Sequence, residues 1–124
     1  MMNFNVCVVF FKLHPSENIK LTFGVRDRGE QTSLPSVKLR DTLPSEAVDA
    51  ICDMFIDADY EWLNKTEASF FENEGETFLV YRVNVPYNVN LSGGLRWVGY
   101  EEVISNREKF SESDIKSITV CTGI

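Results

Sequence analysis

Histidine is nearly missing from this chain. The single one, His14, precedes Pro15 in the turn-forming stretch His14-Pro15-Ser16-Glu17-Asn18. Nucleophilic triads that rely on imidazole would have to use it, and no serine or cysteine stands in a nucleophile-elbow pattern, so that chemistry is set aside. Cysteine is also sparse. Cys7, Cys52 and Cys121 are odd in number and far apart, which excludes a closed disulfide framework and leaves no zinc-ligand spacing. They read as reduced thiols of a cytoplasmic protein. Asn64-Lys65-Thr66 and Asn90-Leu91-Ser92 match the glycosylation acceptor pattern, which carries weight only behind a secretory signal. The apolar run Val6 to Phe11 is too short to span a bilayer and no basic segment precedes it, so it is expected to be a buried strand. No membrane association is expected.

Basic residues are few. Twelve Lys and Arg stand against 19 Asp and Glu, a net charge of −7. Broad binding to DNA or RNA needs the opposite balance, because phosphate contacts come from Lys and Arg. The nearest approaches to a basic cluster are Arg26/Arg28 and Lys38/Arg40. A few local cations, or a bound metal, are still enough for a phosphorylated small molecule. Repeats, low-complexity tracts and linkers are lacking as well.

What remains is ordinary globular material: 124 residues, 44% hydrophobic and 25% charged. A chain of this length buries roughly two-thirds of its unfolded surface in one core, so residues 1–124 are expected to form one α/β domain without metal or disulfide staples. Val6 to Phe11 and the alternating stretch Ile19 to Arg26 predict a hairpin. Asp27 to Ser33 is polar, contains Gly29 and reads as a loop. Leu34 to Leu39 reads as a short strand. Strands are expected at Glu67 to Phe71, Thr77 to Val85 and Leu95 to Val98. The second of these is apolar on both faces and therefore central. The acidic turn Glu72 to Glu76 and the loop Tyr87 to Gly94 separate them. A brief helix at Tyr100 to Ile104 and a C-terminal helix from about Glu112 complete the order. Gly93-Gly94 alone does not make a phosphate loop.

Between strands lies the dominant feature, an amphipathic helix from about Pro44 to Leu63. Asp41 and Thr42 offer capping side chains, Pro44 suits a first turn and Glu46 is an early carboxylate. The helix is expected to end at Asn64-Lys65-Thr66. Ala47, Ile51, Met54, Ala58 and Trp62 form one stripe, edged by Ala50 and Phe55; Glu46, Asp49, Asp53, Asp57 and Glu61 form the opposite one. Like charges at this spacing repel, and the helix has no Lys or Arg. The acidic stripe is read as a solvated face, with a divalent-cation site or a basic protein surface as the functional alternatives. The acidic trio Glu72, Glu74 and Glu76 reads as a charged turn.

The order hairpin, Leu34-Pro35, loop, Pro-started helix with Ser45-Glu46-Ala47-Val48, long strand, and Arg96-Trp97-Val98-Gly99-Tyr100-Glu101-Glu102-Val103 resembles the Nudix hydrolase family. The resemblance implies an α/β/α sandwich with a mixed sheet and one main amphipathic helix. It also implies hydrolysis of nucleoside diphosphate linkages by Mg²⁺ or Mn²⁺ held on helix glutamates. The family's diagnostic box is incomplete here, with Ser36-Val37 in place of its glycine pair. Aligned without gaps on Leu34-Pro35, Pro44 and Glu46-Ala47, the three glutamate positions fall on Ile51, Met54 and Phe55, and the site has no carboxylates. Shifted by two residues, Asp53 and Asp57 take the first and last positions and Ile56 the middle one. The ungapped alignment is preferred. It implies a degenerate domain that binds a nucleotide-like ligand or has a regulatory or interaction role. The shifted alignment implies a divergent Mg²⁺- or Mn²⁺-dependent pyrophosphohydrolase using Asp53 and Asp57, with Asp49 as a further metal ligand. A small acidic inhibitor or interaction protein is the third alternative. Arg26, Arg28 and Arg82 are the candidate phosphate contacts. Trp97 and Tyr100, with Tyr87 and Phe78 behind them, are the candidates for stacking on a base.

Overall fold

The computed structural model describes residues 4–13, 21–57 and 64–122. The expected turn at His14 to Asn18, the start of the second strand, and Ala58, Glu61 and Trp62 of the expected helix lie outside them. Seven strands form one sheet: β1 (Phe4–Leu13), β2 (Thr22–Arg28), β3 (Gln31–Ser33), β4 (Ser36–Lys38), β5 (Asn64–Asn73), β6 (Glu76–Pro86) and β7 (Leu95–Gly99). The order is β3-β2-β1-β6-β5, with β4 added to β1 and β7 to β2. β1 and β6 run parallel in register from Phe4↔Thr77 to Leu13↔Pro86. The other ladders are antiparallel, so the sheet is mixed. Three helices cover it: α1 (Pro44–Phe55), α2 (Tyr100–Ser105) and α3 (Glu112–Thr122).

β1 is buried on both faces, and its alternation sorts the core into two layers. Val6, Val8 and Phe10 meet Val48, Ile51, Cys52 and Phe55 of α1 together with Val83 and Val85 of β6. Cys7, Val9 and Phe11 point the other way, toward Val80, Val98, Val103 and Ile118 on the side of α2 and α3. Phe11 and Phe23 meet edge to face at 5.0 Å between ring centroids. The result is the α/β/α sandwich expected. All three cysteines are free. Burial pushes the Cys52 and Cys121 thiols up to about 11 and Cys7 higher still, so they behave as small hydrophobes.

Several local expectations are corrected. Asp27 to Ser33 is a tight hairpin rather than a loop. Gly29, with φ of 62°, makes the two-residue turn, and Arg28 pairs with Gln31. Only Ser36–Lys38 of the Leu34 to Leu39 stretch is a strand. The β5–β6 turn is equally tight, with Glu74 and Gly75 both at positive φ as a two-residue hairpin of this hand requires.

The main helix is shorter than expected, ending at Phe55, and Asn64-Lys65-Thr66 opens β5 instead of closing the helix. The loop before β7 takes over the helix's terminal carbonyls. The Ser92 amide donates to Phe55 O at 2.8 Å, and the Ser92 hydroxyl to Met54 O at 3.1 Å. Ile56 turns extended and pairs with Leu91. Pro44 stands in the first turn as expected, but the N-cap is Leu43 with no side-chain cap, because the Thr42 hydroxyl donates to Arg40 O. The buried stripe is also rotated by about one residue. It comprises Ala47, Val48, Ile51, Cys52 and Phe55, while Met54 is 57% exposed.

Gly93 has φ of +63°, and a methyl group there would lie 2.9 Å from Phe55 Cδ1 and 3.0 Å from Met54 O. Gly93→Ala therefore strains both backbone and packing, and should cost about 1–3 kcal/mol, seen as a Tm lowered by several degrees. Asp114 is buried at the start of α3 and its carboxylate accepts from the Leu34 amide at 3.4 Å. Burial raises it from 3.8 to about 6, against the opposing pull of hydrogen bonds from Ser111 and the Leu34 backbone. Between these values the unfolded chain loses the proton first, so this group makes stability fall as pH rises from about 4 to about 6 and level off above. Urea denaturation of wild type and Asp114→Asn isolates this group: the stability of the wild type relative to the variant should fall by on the order of 2–3 kcal/mol between pH 4 and pH 7.

Candidate functional site

Alternation along β2 directs its charges to opposite faces. Asp27 faces the α2 side, where it accepts from Arg96 through Nε at 2.6 Å and Nη2 at 3.1 Å and from the Thr32 hydroxyl at 3.0 Å. Arg96 also reaches Glu102 at 3.1 Å. The Arg96 hydrogen bonds hold the Asp27 carboxyl below its usual range, and in this exposed network the guanidinium is shared between two carboxylates. Arg26 and Arg28 face the other way, toward α1, and neither makes an ion pair with a carboxylate among the described residues.

A groove of about 420 Å³ opens between these arginines and α1, within the range of roughly 300–1,000 Å³ common for ligand sites. The α1 wall is Ala47, Ala50, Ile51, Met54 and Phe55; Leu34 to Val37 closes one end, and Ser111, Ser113 and Asp114 reach in from the start of α3. The Arg26 guanidinium lies 5.7 Å from the centre of the Phe55 ring, a cation–π distance. The chemistry of the groove is thus an apolar floor with two guanidinium groups on its rim and a few hydroxyls.

The structure brings Arg26 and Arg28 to this groove and separates the other candidates from it. Arg82 lies on the opposite face of the sheet, 4.0 Å above the Phe11 ring, donating to Asn84 Oδ1 and the Cys121 carbonyl. Trp97 packs against the α1-side core with Lys12 at 5.9 Å from its ring. Tyr100 packs against the α3-side core, as Phe78 does against Phe71, the rings stacked at 5.2 Å. Tyr87 is exposed outside the groove.

Ile51, Met54 and Phe55, the positions of the ungapped alignment, line the groove. Asp49, Asp53 and Asp57 do not. Asp49 pairs with Lys65 of β5 at 2.8 Å, relieving part of the acidic stripe from a neighbouring strand, and Asp53 and Asp57 are exposed. Among the described residues no three His, Cys, Asp or Glu side chains come together as a metal-holding group. Glu72, Glu74 and Glu76 sit at the β5–β6 turn, and Lys38 holds Glu76 at 3.2 Å. Sequence reasoning missed Asp114, Ser111 and Ser113. Nothing in their spacing distinguishes them from a helix start, and Leu34, the residue that Asp114 holds, is 80 positions away. No helix among the described residues is long and apolar enough to cross a membrane.

No protein-family model and no curated protein matches the sequence. Solved structures do match in fold. The C-terminal domain of mouse MUTYH, seen in complex with human PCNA, superposes with a TM-score of 0.78 at 13% identity, covering 99% of this chain and 89% of that one. The NUDIX domain of Shewanella oneidensis NrtR, complexed with ADP ribose, gives 0.71 at 12% identity, covering 99% and 88%. A mutT/nudix family protein from Listeria innocua gives 0.71 at 6% identity, covering 98% and 92%. At such low identities the likeness lies in the fold alone. With its mixed sheet held between α1 and the α2–α3 layer, this chain has the Nudix fold.

Proposed function

We propose that this domain binds a nucleotide-type ligand in the α1 groove and does not hydrolyse it. One observation carries the reading: α1 presents Ala47, Ala50, Ile51, Met54 and Phe55 to the groove, facing Arg26 and Arg28. The Mg²⁺ or Mn²⁺ that the fold family implies needs several carboxylate oxygens. The groove wall contains one carboxylate, Asp114, whose Oδ2 accepts from the Leu34 amide, and one carboxylate is not a divalent-cation ligand set. The residues present do not fit a divalent cation, so no hydrolytic step is derived through one. The reading is a binding or regulatory domain, and the ADP ribose held by the NrtR domain is in keeping with that ligand class.

Energetics favour the same arrangement. Turning α1 so that Asp53 faced the groove would withdraw Ile51, Cys52 and Phe55 from the core, each worth about 1.5–3 kcal/mol when buried. The one carboxylate gained would then stand in the groove without a full ligand set, since Asp57 lies beyond the end of α1.

The test is a panel of nucleoside mono-, di- and triphosphates, dinucleotides and ADP-ribose, followed by thermal shift and by product chromatography with Mg²⁺, Mn²⁺ or EDTA. Binding only to the folded state raises Tm with ligand concentration. The expected outcome is a Tm increase with at least one member of the panel, undiminished in EDTA, and no turnover with either metal. Metal-dependent turnover that disappears in Asp53→Asn and Asp57→Asn would instead establish the pyrophosphohydrolase alternative.

A further inference from the structure

The groove's charge narrows the ligand further, on the basis of the binding reading above. Arg26 and Arg28 stand two residues apart on one face of β2, paired across to Ser33 and Gln31 of β3, and all four line the groove. Two neighbouring cations are engaged by carboxylates. Arg96 is held by Asp27 and Glu102, and Lys38 by Glu76. On a chain of net charge −7, two guanidinium groups without carboxylate partners among the described residues form a local cationic site in an anionic surround. The Phe55 ring steadies the first of them. A guanidinium held before the ligand arrives loses less freedom on binding.

We infer that the groove takes a phosphomonoester, namely a nucleoside monophosphate, whose phosphate is held by Arg26 and Arg28 with no metal, while its ring lies against Ala50 and Met54, the exposed part of the α1 wall. A phosphomonoester carries about −1.5 to −2 charges at neutral pH, which two guanidinium groups balance through paired N–H···O bonds. A triphosphate brings more negative charge than these arginines neutralise. The excess would face Asp114 at the groove's end. A nucleoside without phosphate would leave both guanidinium groups unpaired. Ser111 and Ser113 supply hydroxyls at the α3 end of the groove, where a ribose or base edge can be met.

The deciding experiment is calorimetry in EDTA at low salt, using AMP, GMP, CMP and UMP, the matching nucleosides and triphosphates, and ADP-ribose. The full chain is compared with Arg28→Gln, Arg28→Lys and Arg26→Gln. Arg28 is exposed, so its variants should fold, and an unchanged Tm without ligand checks this. The expected result has at least one monophosphate binding at least tenfold tighter than its nucleoside and its triphosphate. Arg28→Gln should weaken that monophosphate at least tenfold and leave the nucleoside unchanged, and Arg28→Lys should restore part of the loss. A nucleoside that binds as tightly as its monophosphate, a triphosphate or ADP-ribose preferred in EDTA, or an Arg28→Gln variant with full affinity would each overturn the phosphomonoester inference while leaving ligand binding at the groove intact. Silence across the whole panel would overturn both.

Discussion

The Phe55 ring is closed in from several directions, and the rest of the structure follows from how it is seated. Its face lies toward the Arg26 guanidinium, and its edge leaves no room for a side chain on Gly93. Its carbonyl accepts from the Ser92 amide, and the helix containing it stops at that residue. Because Phe55 is buried, the angle of α1 about its own axis is set. Ala47, Val48, Ile51 and Cys52 must then face β1, while Asp53 faces solvent. A single residue thus accepts the bond that ends the helix, through its carbonyl, and orients the helix, through its ring.

The same seating separates two electrostatic regimes. On the α2 side of β2, Asp27, Arg96 and Glu102 pair in an exposed network, and such pairs contribute little net stability. On the α1 side, Arg26 and Arg28 meet apolar carbon and hydroxyls. Strand alternation, with its two-residue period, places an ion-paired network and an open cationic rim on opposite faces of one strand.

Much of the fold was legible in the sequence because its periodicities are strong. The run Val6 to Phe11 and the apolar stretch from Phe78 to Val85 can be satisfied only inside a sheet with both faces covered, and they pair as the parallel centre of the sheet. The end of α1 was not legible. Asp57 and the acidic and apolar residues after it continue a helical pattern, and the competing signal is Ser92-Gly93, distant in sequence, which captures the carbonyls of Met54 and Phe55. Stopping helices by tertiary hydrogen bonding leaves no local mark. The tight Gly29 turn was readable only in part, since Asp27 and Arg28 look like loop residues until their pairing with Thr32 and Gln31 of β3 shows them to be strand.

The candidate site was readable to the extent that local pattern determined it. Arg26 and Arg28 were recognisable because period two is visible in Gly24, Arg26 and Arg28. Arg82 was not separable from them, since only topology reveals that β6 turns that residue toward α3 and the Phe11 ring. Trp97 and Tyr100 fall under the same rule: large aromatics near a groove in sequence terms are more often packing for the layer beneath it. The alignment question on α1 shows the limit most clearly. Two frames two residues apart predict opposite chemistries from the same letters, and choosing between them requires knowing which apolar residues the sheet claims. β1 claims Val48, Ile51, Cys52 and Phe55, and that contact, rather than any motif, sets which side chains of α1 face the groove.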